Sequence, residues 1–146
     1  MAIKVRKRNP MAKIYIRRAL NSIAKDVVNA SERGVGAGDD VLYRLPGVFS
    51  MSIHYHDRSV RLIKEANVLR IMEKFEKSEE LLLVSVLDLA ALTDLKEHKA
   101  TWQKLYAEGR LVFAGKVEYA AAIIRVVAAG DKACLPRKKY RNLYGE

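Results

Sequence analysis

The first 25 positions of this chain contain no acidic residue. Across its 146 residues cysteine occurs once, glutamine once, threonine twice and proline three times. Each scarcity excludes something. A single thiol, Cys134, cannot close an internal disulfide, so nothing calls for an oxidising compartment. No long apolar run is present. The most apolar stretch, 111–129, is broken by Lys116, Glu118 and Arg125, which argues for an amphipathic helix and against a transmembrane segment. No apolar segment follows the first basic residues, so no secretory signal is expected. Scarce Gln and Thr beside abundant Lys, Arg, Glu, Ala, Val and Leu is the compositional bias of hyperthermophiles.

What is present is positive charge, and it sits at the ends. The net charge is +10. Lys4, Arg6, Lys7, Arg8, Lys13, Arg17, Arg18 and Lys25 crowd the N-terminal region, and Lys132, Arg137, Lys138, Lys139 and Arg141 the C-terminal one. The stretch between them is nearly neutral. A balanced body with two cationic ends suits a polyanion, of which a nucleic-acid backbone is the commonest.

The hydrophobic pattern predicts a mainly α fold. Asn9-Pro10 offers a cap and a first helical position, and Ile16, Leu20, Ile23 and Val27 follow at helical spacing. Lys13, Arg17, Asn21 and Lys25 occupy another face. Gly34 to Asp40 reads as a hinge. It lacks the Lys-Ser/Thr ending of a phosphate-binding loop. Phe49, Met51, Ile53 and Tyr55 alternate with polar residues and predict one short strand, for which the N-terminal arm is the candidate partner; irregular chain or helix is the alternative. Val60, Ile63, Ala66, Leu69, Met72 and Phe75 form a helical stripe, 81–92 reads as a central helix, Thr93-Asp94 caps a helix to Ala107, and 111–129 forms the last, with Gly115 as close packing or a break. The expected organisation is a basic arm at 1–33, a hinge and extended linker at 34–57, a helical bundle at 58–130 and a basic tail at 131–146.

The other constellations carry less. His54 and His56 lie on one side of the predicted strand, but two imidazoles do not make a metal site. Asp39-Asp40 and Glu79-Glu80 suit turn and cap roles. No nucleophile–base arrangement stands out, so no enzyme activity, cofactor or metal is expected. Trp102 and Tyr106, one turn apart, read as packing residues.

The basic arm Lys4 to Lys25, the Gly34 to Gly38 hinge and the helical body from Arg58 to Gly130 together resemble the major capsid proteins of filamentous and rod-shaped archaeal viruses. That resemblance implies a coat subunit that wraps double-stranded DNA in A-form and assembles helically, alone or with a related coat subunit, in the virion or in an intracellular nucleoprotein. Lys4, Arg6, Lys7, Arg8, Lys13, Arg17, Arg18, Lys25, Arg137, Lys138, Lys139 and Arg141 would then meet phosphates. The alternatives are a sequence-specific DNA-binding regulator, an RNA-associated protein of ribosomal type, and a protein that masks an acidic surface.

Overall fold

The structure, a computed structural model, describes residues 10–34, 48–65, 68–74 and 76–145. Pro10 opens the first helix, α1 (Pro10–Gly34). Four strands follow: β1 (Phe49–Tyr55), β2 (Arg58–Glu65), β3 (Val68–Ile71) and β4 (Glu80–Val86). Then come α2 (Leu89–Lys96), α3 (Trp102–Ala107), β5 (Leu111–Gly115), α4 (Val117–Cys134) and α5 (Arg137–Tyr144). The strands form one sheet in the order β3-β2-β1-β4-β5. β1 runs parallel to β4, and the other pairs are antiparallel.

The fold is therefore α/β, and the expected mainly α bundle is corrected. β1 is the strand that the alternation predicted, but it is the centre of a sheet and its partners are β2 and β4. Its Phe49, Met51 and Ile53 face Lys64, Leu62 and Val60 across the β2 register, and Leu82 and Val84 adjoin on β4. This apolar face joins Leu20, Ile23 and Val27 of α1 and Tyr119 and Ile123 of α4 in one core. The opposite face of β1 carries Ser50, Ser52 and His54.

The errors have physical causes. Val60 and Ile63 of the expected helical stripe fall on β2 and Leu69 on β3, and these strands escaped the pattern because buried Lys64 interrupts the inward alternation of Val60 and Leu62. Residues 81–86 are a strand flanked by neighbours on both sides, and a continuous apolar run of that length does not distinguish strand from helix. The expected helix from Thr93 is two helices, capped by Asp88 and Thr101 through bonds from the Ala91 and Lys104 backbone N–H groups. The stretch 111–129 divides into β5 and α4 at Gly115. There φ is +122°, and a Cβ would lie 2.2 Å from the Leu81 carbonyl oxygen, so glycine is required. The tail from 137 is helical, as α5. His56 sits beyond the end of β1, in a turn with φ of +51°, so the two histidines do not share a strand face.

α1 is not a free arm. Its Ala19, Leu20, Ile23, Ala24, Val27 and Ala30 are all 5% exposed or less. It crosses α4 so closely that Ala30 touches Gly130. Gly130, one position beyond the expected end of that helix, lies inside it. The start of α1 is tied to α2, where the Tyr15 hydroxyl lies 2.8 Å from that of Thr93 and Lys96 Nζ stands over the Tyr15 ring.

Candidate ligand-binding groove

Among the described residues the sheet ends at β3, an edge strand whose outer backbone groups need cover. α1 supplies part of it. Ser31 donates to the Val28 carbonyl at 2.7 Å and accepts from the Leu69 N–H at 3.0 Å, which clasps the end of α1 to the edge. Beside this clasp the helix and the edge diverge. They leave a hollow of about 880 Å³ with Val28 and Ile71 at its base and Lys25, Asn29, Glu73 and Lys74 at its margin. A second hollow of about 550 Å³ adjoins it at Ile71, Glu73 and Lys74 and adds Val60, Met72 and Asn21. Together they form a groove along α1 with an apolar base and a charged rim, and each hollow by itself lies within the size range of small-ligand sites.

The rim charges differ. Arg70 is held in its charged form by Glu76 (2.6 and 2.7 Å) and Glu65 (2.7 Å). The same bonds keep the Glu76 carboxyl below its ordinary range. Lys25 and Lys74 make no ion pair among the described residues and are available to a ligand.

A second polar cluster lies where α1, the α2–α3 connection, α4 and α5 meet. His98 Nε2 is 3.3 Å from Asp26 Oδ2, and the Tyr144 hydroxyl donates to Asp131 at 2.5 Å. Burial raises the Asp26 carboxyl; His98 offsets this in part and Asp131 adds to it. Burial also raises Asp131, against the bond from Tyr144 and the charge of His98. A carboxyl raised by folding contributes stability below its unfolded pKa near 3.9 and loses it as pH climbs through the folded value. Asp26→Asn with Asp131→Asn, which keeps an acceptor for Tyr144, is therefore expected to melt higher than wild type at pH 7. Its advantage should shrink towards pH 4, as read by thermal melts across that range.

On the other face of the sheet, Ser52 donates to Glu80, and His54 Nε2 lies 2.8 Å from the Ser52 oxygen. Ser52 is fully buried, so this chain of polar groups fastens β1 to β4 and offers no nucleophile to a substrate.

The sequence-predicted site residues are dispersed. Lys4, Arg6, Lys7 and Arg8 lie outside the described residues, as do positions 35–38 of the expected hinge and the Asp39-Asp40 pair. Lys13, Arg17, Arg18 and Lys25 are exposed on α1. Of these, Lys25 borders the groove, while Lys13 lines a separate hollow with Ile16, Tyr55 and Asp57. Arg137, Lys138, Lys139 and Arg141 are exposed on α5. Sequence reasoning missed Lys74, Val28 and Ile71. Lys74 sits in the stretch read as a helical stripe, which hid the edge strand that brings it to α1.

No protein-family profile and no curated protein matches the chain. Solved structures do. The solution NMR structure of palmitated sterol carrier protein 2-like 2 from Aedes aegypti has a TM-score of 0.50 at 14% identity, covering 74% of this chain and 93% of that one. The crystal structure of the Aedes aegypti protein gives 0.45 at 16%, covering 79% and 98%. Sterol carrier protein 2 from Yarrowia lipolytica, in its apo form, gives 0.42 at 19%, covering 70% and 88%. At 14% identity the likeness to the first of these is one of fold.

That likeness corrects the resemblance to archaeal viral coat proteins. A DNA-wrapping subunit, with double-stranded DNA or RNA and coat subunits as partners, required a basic helix free to leave the body. The apolar face of α1 is instead part of the core of an α/β domain. The regulator reading needed a recognition helix in that bundle and the RNA-associated reading needed basic extensions outside the body; the burial of α1 in an α/β core corrects both.

Proposed function

We infer that this protein binds and carries an amphipathic lipid with an anionic head, such as a long-chain fatty acid, and catalyses no reaction on it. The observation that carries this is the groove between α1 and β3. Its base of Val28, Ile71, Val60 and Met72 suits an acyl chain, and Lys25 and Lys74 at the rim suit a carboxylate. The shared fold with a palmitated carrier supports the reading by analogy alone, since a fold hosts many functions. Among the described residues no helix is long and apolar enough to cross a membrane.

The test is titration with a fluorescent fatty acid in vesicle-free buffer, followed by displacement with palmitate. Saturable, displaceable binding is expected. Lys25→Glu with Lys74→Glu changes only exposed side chains and should weaken it about tenfold, which corresponds to about 1.4 kcal/mol. No saturable binding of fatty acids, lysophospholipids or sterols would sink the reading.

A further inference from the structure

A carrier must meet the surface that holds its cargo, and the groove does not account for the most concentrated charge among the described residues. From Lys132 to Gly145 there are five basic residues and no acid. None of Lys132, Arg137, Lys138, Lys139 and Arg141 forms an ion pair among the described residues, and all five are exposed. Asp131 and Glu146 flank this stretch in sequence, and Asp131 is occupied by the Tyr144 hydroxyl.

We propose that α5 and the end of α4 form a docking surface for anionic lipid bilayers. This rests on the lipid-carrying reading for its purpose, though its physical basis is independent. The basic residues of α5 occupy one arc of the helix. Tyr140, Leu143 and Tyr144 occupy the other, half-buried, with the two tyrosine rings stacked 4.6 Å apart. Between Lys132, Arg137 and Arg141 lies a hollow of about 360 Å³ with Leu135 and Tyr140 in its wall, lined by three cations and no acid. A phosphate head could enter it while the remaining cations meet neighbouring heads. The tyrosine arc holds α5 against α4 through the Tyr144–Asp131 bond, which leaves the basic arc facing outward.

α1 is the rival surface and fits less well. Lys13 shares its hollow with Asp57, and Lys25 shares the groove with Glu73 and Glu76. The hollow at α5 is lined by no acid among the described residues, and α5 contributes no buried residue, so it can meet a membrane without opening the core.

The experiment is vesicle co-sedimentation of the full chain, with phosphatidylcholine alone or mixed with phosphatidylglycerol, at low and high salt. Binding only to the anionic vesicles, weakened by salt, is expected. Arg137→Glu with Arg141→Glu should weaken it about thirtyfold or more, since each basic residue near such a surface contributes about one factor of five. Lys138→Glu with Lys139→Glu serves as an independent pair, and circular dichroism melts check that both variants fold. Arg17→Glu with Arg18→Glu should leave most of the binding intact.

Equal binding to neutral vesicles, unchanged binding in both α5 variants, loss only in the α1 variant, or binding to a soluble polyanion such as heparin with none to vesicles would each overturn the proposal. Vesicle-free fatty-acid titration separates the two claims. An α5 variant that holds fatty acid but not vesicles supports docking, whereas a wild type that holds vesicles but no lipid monomer removes the carrier reading and leaves docking in place.

Discussion

Gly130→Val should destabilise the protein by about 3 kcal/mol or more, a large share of the roughly 5–15 kcal/mol typical of a domain. Gly130 is buried inside α4, and a Cβ built there would stand 2.3 Å from the Ala30 Cβ and 2.6 Å from the Ala30 Cα. These are main-chain and near-main-chain atoms, so no rotamer change relieves the contact. The helices must separate, and α1 carries Leu20, Ile23 and Val27 into the core over the sheet. Gly130→Ala gives the sharper test of sign. In an open helix it would stabilise by about 1 kcal/mol through propensity; here a net loss is expected. Ala30→Gly added to Gly130→Ala should recover only part, because the Ala30 Cα still obstructs. Urea unfolding measures all three, and a gain in stability from Gly130→Ala would show that the two helices do not meet this closely. Because α1 is also a wall of the groove, fatty-acid affinity should fall with stability across the series.

The same crossing shows what the sequence could and could not disclose. The apolar face of α1 was legible from Ile16 to Val27, because a helix records its buried side every three to four residues. What that face lies against was not legible. An amphipathic basic helix has the same pattern whether it covers a sheet or leaves the body to grip a polymer, and the absence of acids pointed to the second. β1 was legible for the corresponding reason: Ser50, Ser52 and His54 alternate with Phe49, Met51, Ile53 and Tyr55. Its neighbours were hidden by their own burial. β4 is apolar on both faces, so its period vanished, and β2 carries a lysine where the inward period required an apolar residue. Without β2, β3 and β4 there was no edge strand, hence no groove, and Lys25 read as one more phosphate contact. The cations of the tail were legible as a cluster. That they lie on a helix with a tyrosine face was not, because Pro136 before a polar run gives no apolar stripe to read.

Lys64→Met is expected to flatten the pH dependence of stability in the alkaline range, because it removes the buried charge on which that dependence rests. Lys64 is 2% exposed and is the only charged side chain buried among the described residues. It stands on the helix-facing side of β2, between Phe49 of β1 and Leu69 of β3, with its Nζ 5.8 Å from the centre of the Phe49 ring. Burial lowers its pKa from 10.5. A lysine lowered by folding binds its proton less tightly in the folded state, so wild-type stability should rise with pH between that lowered value and 10.5. Lys64→Met should lack this rise, and denaturant unfolding from neutral to alkaline pH would read it. A drop in stability with the pH slope unchanged would show that Lys64 is held as an ordinary structural ion. The companion measurement is fatty-acid titration of the same variant. A protein that loses the pH slope and also loses selectivity for a carboxylate over an alcohol of equal chain length would place Lys64 with the ligand, and would explain why a costly charge persists in an otherwise apolar layer. A variant that loses the slope and binds as before would assign the head group to Lys25 and Lys74 alone.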